Sequence, residues 1–192
     1  NKNSENFLEK EKGIMKYKTR FFLFFFVMVL FNLAANFAHP VTPTVIQDLN
    51  LHDYMFGLAL AAMMLTNFLL SPFWGKINEY ISSRMSLLIC CMGYGVAQIW
   101  FAYATTELQI VLARMFAGLF TGGIFVSFLT YIVNTAAPED QGKYLTINAT
   151  IKSVASAFGY MIGGFLGEFS VKLAFLALPS CTIFSSWLTL QP

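Results

Sequence analysis

Six apolar runs separated by short polar links set the pattern of this chain. They cover about 21–38, 54–74, 85–104, 109–134, 144–167 and 173–190. Four of the six contain no Asp, Glu, Lys or Arg; the 109–134 run holds Arg114 alone and the 144–167 run Lys152 alone. An uncharged apolar stretch of about 20 residues is long enough to cross a ~30 Å hydrocarbon core as a helix. A helix also pairs its backbone donors and acceptors internally, which lipid demands. The pattern therefore predicts an all-α membrane protein with six transmembrane helices.

The links fix the sidedness. The Gly75–Arg84 link is too short to cross a membrane, so both its ends lie on one side. Of the 12 Lys and Arg residues, six precede the first run, two lie in the 75–84 link and one, Lys143, lies in the 137–143 loop. The links after the first and third runs carry none, and the turn after the fifth has Lys172. Excess Lys and Arg mark the cytoplasmic face. The N-terminal segment 1–20, the 75–84 link and the 137–143 loop are thus expected inside. Met15, followed by a basic stretch and then a span, reads as a natural start, with 1–14 upstream of it. A signal peptide does not fit, because no small-x-small cleavage site follows the first run and further spans do. Trp74 is expected at the inner interface, and Trp100 and Tyr103 at the outer one.

Composition narrows the function. The chain is 57% hydrophobic and 11% charged, against about 25% charged in soluble domains. No extramembrane segment is long enough to bury a core of its own. The sequence contains no nucleophile–base set, no phosphate-binding loop and no metal-ligand spacing, so the reading is non-enzymatic, with no cofactor and no metal. Cys90, Cys91 and Cys181 fall in apolar runs and read as small apolar side chains. No basic patch with interleaved aromatics points to nucleic acid. The lipid bilayer is the one partner that composition requires.

Polar groups inside spans are costly and mark interior faces or pathways. Asn32, Asn36 and His39 recur at i, i+4 and i+7, so they share a helix face. That face lines either a cavity or a helix–helix contact, and His39, near the outer end, suits a solvated interface. Arg114 lies about 9 Å into its span. It either snorkels to headgroups or is buried and functional; Gly118 and Gly122, on the same face, favour burial against a close neighbour. Lys152 lies about 15 Å deep. It binds an anionic group, pairs with an acid, or meets water in an open cavity. Ala155, Gly159, Gly163 and Gly167, with Gly164 alongside, form a small-residue face in the fifth span, which a tight or moving contact would explain.

These motifs resemble the major facilitator superfamily. The 75–84 link is similar to that family's loop between helices two and three, G-x-L-a-D-r-x-G-r-[KR]. Gly75, Ile77, Glu79 and Arg84 match, with Glu for Asp, while Tyr80, Ser82 and Ser83 depart. Arg114-x-x-x-Gly118 resembles the span-four motif. Gly159-Tyr160-Met161-Ile162-Gly163-Gly164 resembles the span-five G-P-x-x-G-G, with Tyr in place of Pro. Pro40 to Leu49 resembles the end of helix one in bacterial 12-helix drug:proton antiporters of the multidrug and quinolone type.

The resemblance implies the N-terminal six-helix bundle of such a transporter, over about 21–190, with a second six-helix bundle lying outside this chain. It implies alternating access and proton-coupled efflux of a hydrophobic or cationic drug across the plasma membrane of a bacterium. Gly75, Glu79 and Arg84 would form the cytoplasmic gate. Arg114, with Gly118 and Gly122, would serve proton coupling, and Gly159, Gly163, Gly164 and Gly167 would form the sliding face. Asn32, Asn36 and Lys152 are the cavity candidates. Two alternatives remain: import of a small polar solute, and a non-transporting remnant.

Overall fold

The computed structural model describes Thr19, residues 21–36 and residues 39–169. The 1–18 segment and the sixth predicted span, 173–190, lie outside the described residues. Six helices occur among the described residues: α1 (Phe21–Ala35), α2 (Thr42–Asp48), α3 (Met55–Tyr80), α4 (Ser83–Ala102), α5 (Glu107–Thr135) and α6 (Gln141–Phe169). Of these, α3, α4 and α5 are long and apolar enough to cross a membrane.

Helix starts follow local chemistry. Ser82 caps α4 by accepting from the Met85 N–H at 3.3 Å. Thr106 caps α5 by accepting from the Gln109 N–H at 3.4 Å. Each hydroxyl satisfies a donor that the first turn leaves open. Pro43 opens α2, where a missing N–H costs nothing. From sequence, 39–53 is a connection between the first two runs; a seven-residue helix with Pro40 ahead of it and Pro43 in its first turn carries no readable periodicity.

Two expectations are corrected. The 75–84 link is mostly helix, because α3 continues to Tyr80 and only Ile81 and Ser82 separate it from α4. Its 26 residues amount to roughly 39 Å at 1.5 Å per residue, longer than the hydrocarbon core. Lys76, Asn78 and Glu79 end the apolar span but not the helix. Trp74 is not an interfacial anchor: it is buried, and its indole N–H donates to the Leu119 carbonyl at 2.7 Å. Trp100 and Tyr103 are exposed at the opposite end of the bundle.

The closest helix pairing is α3 against α5. A Cβ on Gly118 would overlap the Met63 carbonyl oxygen, and one on Gly122 would lie 2.9 Å from Ser71 Oγ. Glycine there lets the two backbones meet. At the end of the bundle that carries the α3–α4 link, aromatic rings tie α1 to α5 and α6: Phe24 stacks on Tyr131 at 4.2 Å and Phe21 on Tyr144 at 4.4 Å. Beside them, Ser127 of α5 donates to Ser86 of α4 at 2.9 Å, and Asn78 of α3 donates to Ser127 at 3.2 Å. Apolar side chains such as Leu65, Leu69 and Phe73 of α3 are exposed, as a bilayer solvent allows.

Candidate functional site: a polar-walled cavity in the helix bundle

A cavity of about 860 Å³ opens between α1, α3 and α6, floored by α4 and α5. On the α3 side stand Phe56, Leu60, Met63, Met64 and Phe68, together with the polar Asn67 and Ser71. On the α1 and α6 side stand Asn32, Ala35, Asn36, Lys152, Ser156 and Tyr160, with His39 beyond the end of α1 also lining the space.

The asparagine stripe does both things the sequence allowed. Asn32 is buried, and its amide donates to the Met28 carbonyl one turn back at 2.8 Å. The Asn36 amide donates to the Asn32 carbonyl at 2.6 Å and to Ser156 Oγ of α6 at 2.9 Å. Asn36 thus lines the cavity and joins two helices at once. The join needs Gly159, one turn beyond Ser156 minus a residue, because a Cβ there would come within 2.5 Å of the Leu33 carbonyl. Gly163 is buried, whereas a Cβ at Gly164 would meet open space.

Lys152 faces the cavity with its ammonium 4.0 Å from the centre of the Phe125 ring. Among the described residues it has no carboxylate partner. Lys152 is exposed, and the π face is its one cation contact among the described residues. Phe125, Ser156 and Tyr160 were missed as site residues from sequence. The signal was present at Ser156 and Tyr160, which follow Lys152 at i+4 and i+8.

Arg114 lies on α5 and is 1% exposed, so it does not snorkel. It donates to Thr42 Oγ1 of α2 at 2.7 Å, and its guanidinium carbon lies 3.9 Å from the centre of the Phe101 ring of α4. Its Nε and Nη1 have no hydrogen-bond partner among the described residues. Gln98 of α4 is also fully buried, with both amide atoms unpartnered at ordinary geometry among the described residues. A Gln in an uncharged span is the sequence signal for this position.

At the α3–α4 link the gate candidates do not meet. Glu79 is exposed on the last turn of α3 and makes no ion pair among the described residues. Arg84, half-buried, donates to the Tyr131 hydroxyl at 3.5 Å and lies 5.7 Å from that ring's centre. Gly75 has open space around it.

The sequence pattern of the Major Facilitator Superfamily matches residues 23–191. The chain belongs to this superfamily. It is a multi-pass membrane protein of a transporter family and not an enzyme. It is similar to the staphyloferrin B transporter of Staphylococcus aureus strain NCTC 8325, 34% identical over 127 residues, which cover 65% of this chain and 30% of that protein. It is also similar to quinolone resistance protein NorA of Staphylococcus aureus strain MRSA252, 25% identical over 158 residues, covering 82% of this chain and 40% of that protein. The chain therefore spans less than half the length of these superfamily relatives.

Superfamily membership gives the cavity a context. Transporters of this kind bind solutes near the membrane midplane, between two helical bundles. The open side of this cavity is flanked by α3 and α6, whose cavity-side residues Met64, Phe68 and Tyr160 are exposed.

Proposed function

We propose that the chain forms one wall of the solute pathway of an alternating-access exporter in the bacterial plasma membrane, with its N-terminus cytoplasmic. The solute class is an amphipathic organic molecule of the hydrophobic-drug type. The observation that carries this reading is the mixed lining of the cavity: Phe56, Met64 and Phe68 share a space of drug-like volume with Asn36, Asn67, Lys152 and Ser156. Methionine adapts its shape to varied partners, which suits a broad substrate range. The likeness to a quinolone resistance protein supports the efflux direction.

Proton coupling is part of the proposal. Arg114 holds a buried charge with two open donor groups, a state that changes in energy when a neighbouring group gains or loses a proton. A ligand shifts such an equilibrium only by binding the two conformers differently.

The test uses everted vesicles from cells expressing the natural gene. Energised vesicles are expected to accumulate norfloxacin, and a protonophore is expected to abolish accumulation. Equal uptake with and without the protonophore overturns the proton-coupled reading. Absence of any gene-dependent uptake overturns hydrophobic-drug export.

A further inference from the structure

We propose that the α6 wall of the cavity is a recognition site for an organic anion, so that the transported molecule carries a carboxylate or sulfonate on an apolar body. This rests on the reading above only in taking the cavity to be a solute site.

Lys152, Ser156 and Tyr160 follow one another at i, i+4 and i+8 and all line the cavity. One helix face therefore presents them in a row about 12 Å long. An ammonium group only donates hydrogen bonds. Ser156 Oγ already accepts from Asn36 at 2.9 Å, which leaves its own hydrogen to donate. The Tyr160 hydroxyl adds a further donor. A row of donors calls for a ligand that accepts.

Charge points the same way. Lys152 is the one Lys or Arg among the described cavity residues, and no Asp or Glu is among them. A cationic solute would meet Lys152 with nothing on this wall to offset it. An anion would replace the Phe125 ring, now 4.0 Å from the ammonium, with a full counter-charge. The α3 wall completes the selection. Phe56, Leu60, Met64 and Phe68 offer apolar contact to the rest of the molecule.

The test compares three probes of one shape: 1-naphthoate, 1-naphthalenemethanol and 1-naphthylmethylammonium. Their binding to the full-length protein in nanodiscs is read by naphthalene fluorescence anisotropy. A charge-assisted hydrogen bond contributes about 1.5–3 kcal/mol, so naphthoate is expected to bind about tenfold or more tighter than the other two. Lys152→Met is expected to remove that preference, so that naphthoate and the neutral alcohol bind this variant about equally. Lys152→Arg is expected to keep it, which guards against a folding artefact. Equal affinity for the ammonium probe, or an unchanged naphthoate Kd in Lys152→Met, overturns the proposal while the cavity remains a solute site. If none of the three probes binds, the solute-site reading falls with it. Nanodiscs of phosphatidylcholine are compared with nanodiscs that also contain phosphatidylglycerol. Equal naphthoate affinity in both supports a solute; weaker binding only with phosphatidylglycerol overturns it and assigns the site to a lipid headgroup.

Discussion

The amide of Asn36, at the end of α1, donates to Ser156 Oγ in α6 at 2.9 Å, and both residues line the cavity. Sequence separation between the two is 120 residues. This bond sets the spacing of the two helices that carry the polar wall, and it also turns the serine into a donor toward the open space.

Two substitutions separate these roles. Ser156→Ala removes one hydrogen bond and is expected to cost about 1 kcal/mol. Gly159→Val forces a side chain against the Leu33 carbonyl and is expected to cost about 1–3 kcal/mol through overpacking. Thermal unfolding of the purified protein should rank Gly159→Val as the less stable of the two; the reverse order would argue against close α1–α6 packing.

The α3–α5 contact offers a sharper contrast. Gly118→Leu is expected to abolish folded protein, because its Cβ meets the Met63 backbone carbonyl and not a side chain that can move. Gly75→Leu, in open space, is expected to be tolerated within about 0.5 kcal/mol plus its gain in helix propensity. Size-exclusion profiles of the two variants decide the matter.

Thr42 is the one hydrogen-bond acceptor that the described residues supply to Arg114. Thr42→Val strands that donor and is expected to destabilise by about 2 kcal/mol. Arg114→Met removes the buried charge altogether and is expected to be stable or nearly so. On the proposed role, Arg114→Met loses proton-driven uptake but keeps downhill exchange of solute. A variant that keeps full proton-driven accumulation would remove Arg114 from coupling.

The two gate candidates at the α3–α4 link predict unequal effects. Arg84→Ala loses the contact with the Tyr131 ring, worth about 0.5–1 kcal/mol, and should lower the melting temperature. Glu79→Ala, at an exposed position, should leave it unchanged. Transport by Glu79→Lys is expected to fail if the link closes the pathway in another conformer, and normal transport by that variant would take Glu79 out of the gate.

Sidedness is checked by labelling. Glu79→Cys is expected to react with an impermeant maleimide only from the cytoplasmic side, and Thr105→Cys only from outside. Cys90 and Cys91 are buried and should stay silent. Labelling of Glu79→Cys from outside would invert the topology.

The sequence by itself determined that this is a helical membrane chain, roughly where five of its helices run, and which superfamily it joins. Those features rest on hydrophobicity and short motifs, which local residue order carries. Arg114 and Lys152 stood out for the same reason, as charges where charge is expensive. Local order could not tell their fates apart. Arg114 is enclosed because Gly118 and Gly122 bring α3 against α5 and because Thr42 of α2 reaches it from 72 positions away. Lys152 stays open because no described helix covers its face of α6. The extent of α3 was also hidden, since hydrophobicity reports the thickness of the bilayer and not where the backbone stops hydrogen bonding. Burial, partners and the shape of the cavity depend on which helices meet, and only the packed bundle decides that.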